Sequence, residues 1–248
     1  MELEIAIPTY FRAETLALKT MPLLSAFDKD IIVLYVEDEI QKNVYNQIFN
    51  NEYKIIVTNT SGIGEKRNFI KKHTKARWLL QVDDDLRSII TEDRTLTPEE
   101  IKDLVYQGFE ETEKANLRLW SIAPFSNHFY FRDTMSKSLK FCRGYFFGTV
   151  MEGEPVLTPI DCFEDYWNTI DHFVKDGGVI RFNHCGAKSV ITTGKGGLQS
   201  RYTKEARLAN EVQNCKIILD HFGNDALKII VKSRGYDIRL NYRYTVDK

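Results

Sequence analysis

Four short apolar runs, Leu3 to Ile7, Ile31 to Val36, Lys54 to Val57 and Trp78 to Val82, fall within residues 1–90, and stretches of helical length and apolar spacing separate them at 13–27, 40–49 and 65–73. Strands alternating with helices predict βαβ units and a largely parallel sheet. Such sheets bind their ligands outside the carboxyl ends of the strands. Here those ends carry Pro8-Thr9-Tyr10, Glu37-Asp38-Glu39, Asn59-Thr60-Ser61-Gly62 and Asp83-Asp84-Asp85. Four polar clusters are therefore expected along one edge.

Beyond that half, Thr97-Pro98-Glu99-Glu100 has the cap, proline and early acids of a helix start, with the helix running to about Ala115. Leu119 to Ala123 and Lys140 to Val150 are β-like, Asp161 to Val174 is helical up to Gly177-Gly178, and Val179 to Phe182 returns to a strand. A glycine-rich loop at 192–199 precedes a long helix from about Thr203 to Phe222 and a shorter one near 225–234. The expected organisation is one α/β domain: a nucleotide-binding half at 1–90, an added mixed β region at 116–200 and a helical C-terminal extension at 201–248.

Hydrophobic residues make up 43% and charged residues 28% of the 248, with a formal net charge of −1. That balance excludes a protein that coats nucleic acid by bulk charge. A local basic bias exists from Arg201 onward, with ten Lys or Arg against six Asp or Glu, and a solvated helical face explains it better than an anionic acceptor or diphosphate does. The acidic start Met1-Glu-Leu-Glu lacks the pattern of a secretory signal and no apolar run reaches membrane-spanning length, so the expected location is cytoplasmic with no membrane partner. Cys142, Cys162, Cys185 and Cys215 lack metal-binding spacing and are expected as reduced thiols.

Three consecutive carboxylates behind a buried strand repel one another by about 4 kcal/mol per close pair at an effective dielectric near 20. Positive charge is expected nearby. In an extended segment Asp83 and Asp85 share a face, so the pair can offer oxygens to one hard cation, Mn²⁺ or Mg²⁺, with Asp84 turned away. The plainer reading is an exposed acidic turn. Gly62-x-Gly64 resembles part of a phosphate-cradling loop, but Arg67 stands where the dinucleotide fingerprint needs a third glycine, which favours a flexible turn.

The order of these clusters resembles that of GT-A glycosyltransferases, whose DxD motif follows a strand of an N-terminal nucleotide-binding sheet. The resemblance rests on Ile5-Ala-Ile-Pro-Thr-Tyr-Phe-Arg12, Glu37-Asp38-Glu39, Gly62-Ile-Gly-Glu-Lys-Arg-Asn68 and Gln81-Val-Asp-Asp-Asp85. It implies a GT-A-like, Rossmann-type sheet and a metal-dependent hexosyl- or pentosyltransferase using a nucleotide-sugar, UDP being the commonest base. It further implies Pro8, Thr9, Arg12, Glu37 or Asp38, Arg67, Asn68 and Asp84 at the donor, and His184 joining Asp83 and Asp85 at the metal. Any one of these arginines could equally pair with a surface acid.

Inverting transfer needs a carboxylate to deprotonate the acceptor hydroxyl, and Glu164-Asp165 is the candidate pair; acids favoured by a helix N-terminus are the alternative. Lys195 sits in the glycine-rich loop, either closing over a diphosphate or in a plain mobile loop. Tyr145, Phe146, Phe147 and Trp167 are first of all core residues and otherwise an acceptor platform. His128 and His172 are weaker metal candidates. The opening motif and the Asp-Asp-Asp-Leu ending look most like glycosyltransferases associated with TET/JBP-type oxygenases, which implies a 5-hydroxymethylpyrimidine acceptor in DNA. A glycan or small-molecule acceptor, a sugar nucleotidyltransferase and a non-catalytic nucleotide-binding module remain as alternatives.

Overall fold

A computed structural model describes residues 2–189, 203–233 and 235–246. The loop at 192–199, with Lys195, lies outside the described residues. The parallel half forms as its pattern predicts: β1 Leu3–Pro8, β2 Ile32–Val36, β3 Lys54–Val57 and β4 Trp78–Val82. Every residue of β1, β2 and β4 is buried, as both faces of a central parallel sheet require. In β3, at the sheet edge, Lys54 is exposed and the other residues are partly buried.

The segments between these strands are α1 Ala13–Leu18 and α2 Thr20–Leu23, then α3 Glu39–Ile48 and α4 Ile63–His73. The single helix expected over 13–27 is thus two short ones, with the chain turning at Lys19. Asp38 caps α3, its carboxylate accepting from Gln41 N–H at 2.7 Å. After β4 come β5 Leu86–Ile90, outside the strands expected from the sequence, and α5 Pro98–Lys114 with the expected Thr97–Glu100 capping box. β6 Leu119–Ala123, β7 Met135–Ser136 and β8 Phe146–Val150 follow, then α6 Glu164–Asp176 and β9 Ile180–Ser189. The strand expected over 140–150 is shorter because residues before Tyr145 run as loop.

Among the described residues the main sheet has the order β3-β2-β1-β4-β8-β6-β9-β5, with β7 added to β9. β3, β2, β1 and β4 are parallel, whereas β8 runs antiparallel between β4 and β6. Strand order reverses between β1 and β4, so a crevice is expected past their carboxyl ends. In the middle of the sheet Trp120 is fully buried, and a Cβ at Gly108 or Gly148 would come within 2.5 Å or 2.0 Å of its indole. Those two glycines are what allow so large a ring to lie between helix and sheet.

The chain ends with α7 Lys204–Ala226 and the antiparallel pair β10 Leu227–Lys232 and β11 Gly235–Leu240. The helix expected near 225–234 is therefore a correction: β-branched Ile229, Ile230 and Val231 fit a pleated strand, and Gly235 at φ +141° adopts a conformation that L side chains avoid. Cys215, Ile218, Leu227, Ile238 and Leu240 pack with Trp167, Ile170 and Phe173 of α6 in a second apolar core. Tyr145, Phe146, Phe147 and Trp167 are all buried, so these aromatics form core and no exposed platform. All four cysteines are free, and no described helix is long and apolar enough to cross a membrane.

Candidate active site

A cavity of about 170 Å³ lies past the carboxyl ends of β1 and β4, lined among others by Pro8, Arg12, Arg67, Asp83, Asp85 and Glu164. The β1–α1 loop lines it with Thr9, Tyr10 and Arg12 and turns at Phe11, whose φ of 51° is unusual for a bulky residue. Two bonds from α3 hold that turn: Phe11 N–H donates to Gln41 Oε1 at 3.2 Å and Arg12 N–H to Tyr45 Oη at 3.0 Å. Burial pushes the Tyr45 phenol up, so it stays protonated and donates onward to Thr9 Oγ1 at 2.5 Å. Thr9 in turn donates to Asp84 Oδ2 at 2.7 Å.

Asp83, Asp84 and Asp85 do not continue β4 as an extended strand; the chain turns at Asp84 and Asp85. Alternation of faces therefore no longer sets their directions. Asp84 is buried and, with Asp85, shares Arg12 Nη1 at 3.1 and 3.2 Å. Burial raises the proton affinity of both carboxylates, with Arg12 opposing. Asp83 takes a different cation. Its Oδ1 accepts from Arg67 Nη2 at 3.0 Å, its side chain stays 35% exposed, and Oδ2 carries no hydrogen bond among the described residues. Burial in the surrounding protein pushes Asp83 up to about 7, with Asp85 and Asp84 adding to the effect and Arg67 opposing it.

Arg67, on α4 and 5% exposed, also donates to Gly144 O at 2.7 Å and places Nε 3.5 Å from Glu164 Oε1. Its guanidinium lies over the Phe147 ring, 5.1 Å from the centroid, while Nη1 has no hydrogen-bond partner among the described residues. A buried guanidinium with an unused donor beside a cavity suits an oxygen-rich ligand. Lys66, next in sequence, is buried and donates to Thr9 O at 2.7 Å, and burial lowers it to about 8.

The structure separates the Glu164-Asp165 pair. Asp165 is turned to the backbone, accepting from Gly144 N–H at 3.2 Å and Tyr166 N–H at 3.0 Å, whereas Glu164 lines the cavity. Burial, then the nearby Asp165, pushes Glu164 up to about 8 against the pull of Arg67. Burial likewise raises Asp165. A carboxylate held at high proton affinity beside a cavity is equipped to take up a proton.

Of the other residues singled out in the sequence, Glu37, Asn68 and His184 do not line this cavity. Asn68 instead exchanges two hydrogen bonds with the backbone of Thr158, at 2.7 and 2.9 Å. Glu37 follows β2, where its carbonyl accepts from Asn59 N–H at 2.9 Å. His184 lies in β9 against Phe182, and burial lowers its proton affinity. His172 is buried in α6 beside Asp176, and His128 is exposed on a short turn. Among the described residues no three His, Cys, Asp or Glu side chains come together as a metal site. Asp83 and Asp85 both line the cavity, and carboxylate oxygens are the donor type that a hard cation takes.

Tyr10, Gly62, Ile63 and Lys66 complete the lining and were not chosen individually from the sequence. Their signal was position, since each belongs to one of the quoted clusters. Asp161 had no such signal: its Oδ1 accepts from Gly64 N–H at 2.9 Å, so the anion seated at the start of α4 is the chain's own.

No protein-family model and no curated protein matches the sequence. Solved structures match the fold. S. aureus TarS 1-349 in complex with UDP-GlcNAc superimposes with a TM-score of 0.59 at 16% identity, over 89% of this chain and 67% of that one. This chain covers only 40% of a longer TarS chain. Glucosyl-3-phosphoglycerate synthase from Mycobacterium tuberculosis, in complex with Mn²⁺, UDP and glucosyl-3-phosphoglycerate, gives 0.55 at 11% identity over 99% and 88%. The architecture is thus the mixed α/β sheet of GT-A type.

Proposed function

We propose that this chain is a glycosyltransferase that moves a sugar from a nucleoside-diphosphate sugar to a hydroxyl acceptor. The observation that carries the reading is the convergence of Asp83, Arg67 and Glu164 from three separate elements on one cavity at the reversal of strand order. Two structures sharing the fold hold UDP or a UDP-sugar, which supports UDP as the donor's nucleotide.

In this reading Arg67 and Arg12 orient the donor's phosphate or hydroxyl oxygens, Arg67 through its unused Nη1. The acceptor oxygen bonds to the anomeric carbon as the bond to the diphosphate breaks, and the nucleoside diphosphate leaves with that electron pair. Glu164, as carboxylate, takes the acceptor's proton, which makes the transfer inverting. Asp83 and Asp85 would hold Mn²⁺ or Mg²⁺, which supplies Lewis-acid stabilisation of charge on the departing diphosphate. The likeness of the opening motif and of Asp83 to Leu86 to enzymes of modified DNA supports a 5-hydroxymethylpyrimidine acceptor.

The test is transfer from a panel of UDP-sugars, with Mn²⁺ or Mg²⁺, to hydroxymethylated DNA and to free sugars, alongside Glu164→Gln. Transfer that Glu164→Gln abolishes while UDP binding survives supports the assignment. Undiminished transfer by that variant removes Glu164 as base, and absence of UDP binding to the native protein overturns the whole reading.

A further inference from the structure

The start of α6 is not fixed by its own sequence. Phe163, the residue before Glu164, makes no side-chain cap and sits at φ 65°, a left-handed conformation that costs a bulky residue strain. Such a conformation persists only where the surroundings impose it from both sides. On one side is α6, packed into the second core through Trp167, Ile170 and Phe173. On the other is the segment 156–161, bound along α4 at three successive places. Lys71 Nζ donates to Val156 O at 2.7 Å, Asn68 and Thr158 exchange two bonds, and Gly64 N–H donates to Asp161 Oδ1 at 2.9 Å.

The last of these ties is the most closely fitted. A Cβ on Gly62 would lie 2.1 Å from Asp161 Oδ1, and one on Gly64 would lie 2.1 Å from Ile160 O. The backbone of α4 therefore comes against this segment at a distance that only glycine permits. Three residues later the chain reaches Glu164, and Glu164 meets Arg67 of that same helix. One helix thus carries Arg67, facing the donor cavity, and anchors the segment that sets the position of Glu164.

We infer that Asp161 is a positioning residue: by accepting from Gly64 N–H it fixes the approach to α6 and holds Glu164 at Arg67, and so sets the rate of the proton-accepting step without itself touching the substrate. The inference rests on Glu164 being the base. It concerns geometry and not charge. An amide oxygen at position 161 can still accept from Gly64, whereas a methyl group cannot, and a carboxylate one methylene longer no longer matches a contact this close.

The experiment compares transferase kinetics of native protein, Glu164→Gln, Asp161→Ala and Asp161→Asn, with UDP affinity measured separately by calorimetry. Displacing a reacting group by about 1 Å costs up to about a hundredfold in rate. Asp161→Ala is expected to lower kcat about tenfold or more, with the donor KM and UDP affinity held within about twofold, and Asp161→Asn to restore most of the loss. A native kcat in Asp161→Ala, or a loss confined to UDP affinity, overturns the inference. Failure of Asp161→Asn to restore the rate overturns it too. Should Asp161→Ala not fold, Asp161→Glu replaces it: Asp161→Asn must then be the faster of the two, and equal rates reject a geometric role. Native turnover by Glu164→Gln removes the base assignment itself; an inactive Glu164→Gln beside a fully active Asp161→Ala removes only the role of Asp161.

Discussion

Arg67 and Asp83 meet at 3.0 Å from different elements, the guanidinium from α4 and the carboxylate from just past β4. The same guanidinium lies 3.5 Å from Glu164 and donates to Gly144 O, so one buried cation joins three parts of the chain separated widely in sequence. It partly compensates two carboxylates that burial alone would protonate, and it keeps Nη1 unused beside the cavity. Arg12 likewise compensates Asp84 and Asp85. The acidic triplet is thus divided between two arginines.

Arg67→Lys tests how much depends on the shape of that cation. An ammonium group is a compact charge without the planar fork, and it cannot reach Asp83, Glu164 and Gly144 O at once. Loss of buried partners costs about 1–3 kcal/mol each where nothing replaces them. Chemical denaturation is expected to show destabilisation in that range, and calorimetry a fall in UDP affinity of about tenfold, the equivalent of one lost charge-assisted bond. Native affinity in the variant would contradict a role for Arg67 at the donor.

Glu164→Gln should separate stability from activity. The carboxyl is pushed to about 8 from an ordinary 4.5, so between those values the folded protein keeps a proton that the unfolded chain releases. Stability from this group is therefore complete below about pH 4.5 and is lost as pH rises through about 8. Glutamine removes the dependence. Thermal unfolding should show the variant gaining over the native protein at pH 8.5 and gaining little at pH 5, while transfer is lost at pH 8.5, where the native carboxyl is ionised. An equal difference at the two pH values would mean that Glu164 titrates normally.

Most of the parallel half was legible because each of its strands is a compact apolar run closed by polar residues. Trp78 to Val82 is an example, found with the same bounds in sequence and structure. Asp83 and Asp85 could be placed at the cavity for that reason, but their partners could not. The turn at Asp84 cancels the alternation that a strand would impose, and Arg67 reaches Asp83 from 16 residues away and Arg12 reaches Asp85 from 73. Likewise, nothing local marks Asp161, whose partner Gly64 is 97 residues distant. In the hairpin at 227–240, apolar residues are spaced ambiguously enough to read as a helix, and the turn at Gly235 decides for strands.

The three aspartates should behave differently when substituted singly. Asp84 accepts from Thr9 and Arg12 inside the protein, so Asp84→Ala removes the acceptor of Thr9 and leaves Arg12 to Asp85 alone, and is expected to cost about 1–3 kcal/mol of stability. Asp83→Asn and Asp85→Asn should instead fold well and lose the cation-dependent part of UDP binding. The measurement is the shift in unfolding temperature on adding UDP with and without Mn²⁺, since a ligand of the folded state raises apparent stability. A full Mn²⁺-dependent shift in Asp83→Asn would refute the metal assignment.

Lys71 offers a test of the α4 anchor that is independent of catalysis. The ammonium is buried, donating to Val156 O at 2.7 Å and Asn168 Oδ1 at 2.6 Å, and burial lowers it to about 7 from 10.5. Between those values the unfolded chain binds a proton that the folded protein does not, so stability rises with pH; the cost of burying the charge is full below about 7 and relieved towards 10.5. The slope for one such group is at most about 1.4 kcal/mol per pH unit. Lys71→Met loses both hydrogen bonds, a cost largely independent of pH, and loses the slope as well. The informative window is pH 7 to 9, because above it the buried thiols Cys142 and Cys185, which burial pushes up to about 12, begin to favour the unfolded chain. Urea denaturation across that window should therefore show the native protein gaining on Lys71→Met as pH rises. A constant difference would mean that Lys71 stays charged in the folded protein, held by Val156 and Asn168 more strongly than its burial implies.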